Sequence, residues 1–138
     1  MLRIFVILAF CFALFGCTAI PPERLSQPVI DSNSVQDKKL RQAMWDFEEA
    51  TSKRVAKRIY GFQGYPSWAI AHNLEGDVEV KVTSYGGRFK VELVEANGDP
   101  IFKDYALAYV GHEVYKVYME DSLRDLNFSF TVVAAFHL

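Results

Sequence analysis

The chain has 138 residues, enough for one modest domain with some flanking sequence. A formal net charge of −2 excludes a dedicated nucleic-acid binder, which would carry a strong basic excess. The two cysteines, Cys11 and Cys17, both lie in the N-terminal apolar run, so the chain beyond them can form no internal disulfide, cysteine metal site or thiol nucleophile.

Met1-Leu2-Arg3 is a short positive leader, and Ile4 to Phe15 follows without a charged residue. The run has the length of a signal-peptide core and falls short of the roughly 20 residues of a membrane-spanning helix. It ends in Leu14-Phe15-Gly16-Cys17, which resembles the lipobox of bacterial lipoproteins. The resemblance implies that residues 1–16 are a cleaved signal peptide and that Cys17 becomes the mature N-terminus and the lipid-attachment residue. At about 0.8 kcal/mol per buried CH₂, one acyl chain binds a bilayer reversibly and several hold it stably. In lipoproteins of enteric type an aspartate after the acylated cysteine favours the inner membrane. Thr18 stands there, so the expectation is an outer-membrane lipoprotein facing the periplasm.

Residues 17–33 are rich in Pro, Ser and Gln and read as an extended tether. Residues 34–64 read as an amphipathic helix with its closing turn. Ser34-Val35-Gln36-Asp37 has the form of an N-cap followed three residues later by an acid. Leu40, Met44, Phe47, Thr51, Val55 and Ile59 then recur at steps of three and four from Lys38 to about Tyr60. Gly61 and Gly64 end the pattern. Lys53, Arg54, Lys57 and Arg58 on its last turns read first as a solvated face that complements the helix dipole, and second as a patch for anionic lipid or an acidic partner.

After Tyr65-Pro66, a short helical segment covers Ser67 to Asn73. Strict alternation follows, with Val78, Val80 and Val82 against Asp77, Glu79, Lys81 and Thr83: a half-buried strand. Tyr85-Gly86-Gly87 is a tight turn, and Phe89, Val91 and Leu93 mark the returning strand of a hairpin. Asp99 and Pro100 open a helix whose buried stripe is Phe102, Ala106, Val110, Val114 and Val117. Finally Phe128, Phe130, Val132, Ala134, Phe136 and Leu138 alternate with smaller residues to the C-terminus. The predicted fold class is α+β: a three-stranded antiparallel sheet in β-β-α-β order with one packed helix, preceded by the amphipathic helix.

Residues 65–138 resemble the C-terminal domain of the TonB family. The resemblance rests on Tyr65-Pro66, Ala69, Glu75-Gly76-Asp77-Val78-Glu79-Val80, Gly87-Arg88-Phe89, Asn97-Gly98-Asp99-Pro100 with Phe102, Ala106-Leu107 and Val110, and the terminal Phe136-His137-Leu138. It implies a binding module whose last strand pairs with a short segment of an outer-membrane receptor. The residues fit that implication independently. The strand from Asn127 to His137 has no proline, and its outward positions Asn127, Ser129, Thr131, Val133 and Ala135 carry no charge, whereas isolated edges are normally guarded by lysine or proline. The competing reading makes this strand central, or covers it with the Lys38–Tyr60 helix.

No catalytic constellation emerges. His72, His112 and His137 lack a second ligand at metal spacing, and Ser84, Ser122 and Ser129 lack a Gly-x-Ser-x-Gly setting. Gly86-Gly87 is too short for a phosphate loop. Tyr105, Tyr109, Tyr115 and Tyr118 read first as core or its flank, and second as a partner surface. The expectation is a non-enzymatic envelope lipoprotein without cofactor or metal, lipid-anchored, whose partner is another envelope protein such as an outer-membrane receptor or transporter segment. Two alternatives stand beside it. One is a reduced TonB-type energy transducer for outer-membrane transport with an uncleaved N-terminal anchor. The other is a hydrolase-like or ligand-binding lipoprotein with a pocket assembled from distant residues.

Overall fold

The computed structural model describes residues 20–138. The expected signal peptide and lipobox, with Cys17, lie outside the described residues. In chain order the elements are α1 (Pro22–Leu25), β1 (Val29–Asp31), a 3₁₀ turn (Ser32–Ser34), α2 (Lys38–Tyr60), α3 (Ser67–Ala71), β2 (Gly76–Tyr85), β3 (Arg88–Gly98), α4 (Phe102–Val114), α5 (Asp121–Arg124) and β4 (Asn127–Phe136).

The long helix α2 starts where the apolar period starts, but Ser34 is not its cap. Asp37 Oδ1 accepts from Lys39 N at 2.9 Å and Leu40 N at 3.2 Å, satisfying two of the helix's orphan donors. Ser34 instead closes the preceding 3₁₀ turn by donating to Asp31 O at 2.7 Å. At the other end the chain folds tightly back on the helix: a Cβ on Gly64 would lie 1.5 Å from Arg58 O, so no other residue fits there.

The hairpin β2–β3 turns on Gly86 and Gly87, whose φ values of +66° and +90° suit the two-residue turn that matches the twist of the strands. Register runs from Gly76↔Gly98 to Tyr85↔Arg88 and shifts between Glu79 and Val80, leaving Val94 as the extra residue of a bulge. β4 pairs antiparallel along the whole of β2, from Gly76↔Phe136 to Tyr85↔Asn127. The sheet order is β1-β4-β2-β3.

The three-stranded antiparallel expectation is thereby corrected to a four-stranded mixed sheet. Val29, Ile30 and Asp31 pair in parallel with Asn127, Phe128 and Ser129. The stretch expected as an extended tether over 17–33 is built into the domain from Pro22 onward. Asn127 Nδ2 donates to Arg24 O at 2.6 Å and Gln27 O at 3.3 Å, and the Arg24 guanidinium donates to Arg124 O. These bonds replace water on backbone carbonyls that an unstructured tether would leave solvated.

One face of the sheet carries the core. Val78, Val80 and Val82 of β2 and Phe128, Val132, Ala134 and Phe136 of β4 are buried under Met44, Phe47, Val55 and Ile59 of α2 and Phe102, Ala106, Val110 and Val114 of α4. Phe89, Val91 and Leu93 share that face but stay partly uncovered, because β3 is the sheet's margin. Phe47 links the two sides of the sheet, its ring 5.9 Å from both Phe89 and Phe128 and 5.8 Å from Phe130.

The basic run on α2 is not simply a solvated face. Glu113 of α4 is buried and accepts from Arg54 Nε at 3.1 Å and Lys116 Nζ at 3.3 Å, with an Arg58 guanidinium nitrogen 3.8 Å away. Arg58 also lies over the Tyr109 ring at 5.1 Å. Two of the four cations therefore tie α2 to α4, while Lys53 pairs within the helix with Glu49 at 3.0 Å.

Candidate partner-binding edge

Along β4 each residue aims its N–H and C=O to one side of the strand, and the side alternates. Ala135 O accepts from the Tyr60 hydroxyl at 3.1 Å on the side away from β2. The period of two then places the backbone groups of Asn127, Ser129, Thr131, Val133 and Ala135 on that outer side, and those of Phe128, Phe130, Val132, Ala134 and Phe136 toward β2.

The five residues expected to receive a partner strand have three different fates. Asn127 is buried, with its side-chain Nδ2 bonded to Arg24 O and Gln27 O, and Asn127 and Ser129 both lie where β1 already pairs. Thr131 and Val133 are exposed and have no backbone partner on the outer side among the described residues. The Ala135 amide likewise has no partner among the described residues, while its carbonyl is capped by Tyr60. The open edge is therefore Thr131 to Ala135, shorter than the whole strand.

Both ends of this opening are marked by recesses. At the Thr131 end, Asp31, Ser32, Asn33, Glu48, Lys81, Ser129 and Phe130 help to line one of about 220 Å³. Burial, reinforced by the nearby Asp31 charge, pushes the Glu48 carboxyl above the usual carboxylate range. At the Ala135 end a wider groove of about 680 Å³ is walled by Ile59, Tyr60, Phe62, Tyr65, Ile70 and Leu138, among others. The strand is clamped there to the start of β2: His137 Nε2 lies 2.8 Å from Asp77 Oδ1, and Leu138 N donates to Glu75 Oε1 at 2.8 Å. Neither recess was visible in the sequence, since each draws on segments far apart in the chain.

The histidines do not converge. His72 Nδ1 is 2.9 Å from Trp68 O and its ring sits against the Trp68 indole, His112 is exposed on α4, and His137 pairs with Asp77. Among the described residues no group of three His, Cys, Asp or Glu stands close enough to hold a metal ion, and no helix is long and apolar enough to cross a membrane. Of the tyrosines, Tyr109 is buried and donates to Gly64 O, and the Tyr115 hydroxyl accepts from Phe89 N at 3.2 Å. Tyr118 stands in solvent.

Among solved structures, the fold is similar to a TonB C-terminal domain. The NMR structure of the Helicobacter pylori TonB C-terminal domain, residues 179–285, aligns with a TM-score of 0.52 at 18% identity, over 71% of this chain and 82% of that one. A shorter form of the same domain, residues 194–285, gives 0.47 at 18% identity, over 68% and 91%. At such identity the likeness concerns the fold. No protein-family model and no curated protein sequence matches the chain.

Proposed function

We propose that this chain is a non-enzymatic envelope lipoprotein, acylated at Cys17, whose TonB-like C-terminal module binds another envelope protein by adding an extended segment of it to β4. The observation that carries the reading is the outward row of β4, where the backbone groups of Thr131 and Val133 and the Ala135 amide have no partner among the described residues, on a stretch without charged side chains. Such an edge offers main-chain hydrogen bonds for affinity, and the alternate side chains Thr131 and Val133 for selectivity. The TonB-like fold supports the same reading, because the last strand of that family's domain receives a receptor segment. An acylated Cys17 would hold the domain on a short leash: Thr18 to Pro21 leave at most about 17 Å between Cys17 and α1, at roughly 3.3 Å per residue. The domain would then sit close to its membrane. With Thr18 after the cysteine, that membrane is the outer one, and a receptor or transporter within it is the natural partner.

The test is site-specific photocrosslinking in whole cells. A photoreactive residue at Val133 should yield an adduct with an envelope protein. The same residue at Glu92, on the opposite margin of the sheet, should not, and Thr131→Pro should abolish the Val133 adduct. Equal adducts from both positions, or an adduct indifferent to the proline, would refute strand addition. Intact-mass measurement of the membrane-bound protein should show an acylated Cys17 start, and an unmodified Met1 start would sink the lipoprotein reading.

A further inference from the structure

We propose that the groove at the Ala135 end of the open edge seats a large apolar side chain, aromatic foremost, carried by the same extended envelope-protein segment that pairs with β4. This rests on the strand-addition reading and adds the chemistry of the partner to it.

The groove is assembled from the end of α2, the turn after it, α3 and the residues just past β4. Its rim is apolar and wet: Phe62 is 96% exposed, Tyr60 61%, Leu138 59% and Ile70 47%. Single exposed apolar residues are ordinary, but four around one concavity are not. The turn that presents Phe62 is firmly held. Gly64 N donates to Gly61 O at 3.1 Å, the Tyr109 hydroxyl donates to Gly64 O, and Gly64 is wedged against Arg58 O. Gln63 sits at φ 61°, a left-handed conformation that a glutamine adopts only when its surroundings impose it. A rigid backbone thus holds a phenyl ring in water, which is the arrangement of a preorganised anchor.

Continuity with the open edge identifies the occupant. Tyr60, whose ring helps to wall the groove, is the residue whose hydroxyl caps Ala135 O, and Leu138 follows β4 by two residues. A segment paired at Thr131 and Val133 that continues in the same direction delivers its next outer side chains to this groove. A bilayer is the poorer occupant. The segment leading to Cys17 is fixed beside Asn127, at the far end of a ten-residue strand and so about 30 Å away at 3.3 Å per residue. The groove also lies beside Glu75 and Asp77, which disfavour anionic headgroups.

The experiment uses the full chain in detergent micelles and short synthetic peptides of alternating threonine and valine with a lysine at each end. One peptide carries phenylalanine near its N-terminus, a second near its C-terminus, and a third carries serine at both places. Affinity is read by fluorescence anisotropy, and the amide resonances of Thr131 and Val133 report edge pairing. One of the phenylalanine peptides should bind about ten-fold more tightly than the serine peptide. Phe62→Ser, at a position almost fully in solvent, should erase that preference while the Thr131 and Val133 shifts persist. If phenylalanine confers no advantage while those amides still shift, the groove inference falls and strand addition stands. If no peptide shifts them, strand addition fails and takes the groove with it.

Discussion

The sheet has two margins, and they are built in opposite ways. β3 presents Arg88, Lys90, Glu92 and Glu95 and carries a bulge at Val94; Lys90 and Glu92 lie 3.6 Å apart. Charge and bulging are the devices that stop a strand from recruiting another chain. β4 has neither over Thr131 to Ala135. Its covering is supplied from elsewhere: β1 over Asn127–Ser129, and the Tyr60 hydroxyl on Ala135. One fold therefore protects one edge permanently and leaves a short part of the other available, and that is the physical content of the proposed binding role.

The largest effect should come from breaking the element that both margins share. Phe47 packs against Phe89 on β3 and against Phe128 and Phe130 on β4. Its ring is buried, so Phe47→Ala should cost about 3–5 kcal/mol in urea unfolding. A much smaller loss would mean that α2 is loosely seated and that β4 gains no support from it.

Proline separates the two sides of β4. At Val132 the amide points to β2, so Val132→Pro removes a ladder bond inside the sheet and should cost about 3 kcal/mol or more. At Thr131 the amide points outward and is unpaired, so Thr131→Pro should cost about 1 kcal/mol and leave the fold intact. Equal losses at the two positions, measured by thermal unfolding, would show that the outer row is not open.

Much of this contrast was legible in the sequence, and the illegible part has a common cause. The alternation of Val78, Val80 and Val82 and of Phe128 to Phe136 reports burial one residue at a time, and the structure buries those residues. The stripe from Met44 to Ile59 places α2 in the same way. β1 escaped because three residues after Pro28 are too few to show a period, so the edge seemed open from Asn127. The roles of Arg54 and Arg58 escaped because their acid is Glu113, 59 residues away from Arg54. The groove escaped because Phe62, Ile70 and Leu138 come from three separate segments. Local patterns disclose which face is buried; which segment covers which edge is decided by long-range packing.

A smaller perturbation sharpens the far end of the open edge. Tyr60→Phe removes the hydroxyl that caps Ala135 O. The bond is solvent-exposed, so the loss should be about 0.5–1 kcal/mol, at the low end of net hydrogen-bond contributions. Capture of a partner through Val133 should be undiminished, since the variant frees a carbonyl on the pairing row. Reduced capture would mean that the hydroxyl contacts the partner itself.

The smallest effect is expected at the other end of the opening, where β1 stops. Glu48 lies there with Asp31, Lys81 and Thr131, and burial followed by the Asp31 charge raises its pKa from the usual 4.5. The folded chain therefore holds this proton to a higher pH than the unfolded chain does. The group costs nothing below the unfolded value. Stability declines as pH rises from there through the folded value, and the whole penalty is present above it. Glu48→Gln removes the penalty, so the variant should be more stable than the parent at neutral pH, by about 0.5 kcal/mol or less given its partial solvent access. The advantage should vanish at a pH of about 3.5, where the parent carboxyl is protonated in both states. Melting curves of the two proteins at both pH values decide the matter. An advantage of equal size at both would assign the effect to packing or helix propensity, and the start of the open edge would then carry no desolvated charge.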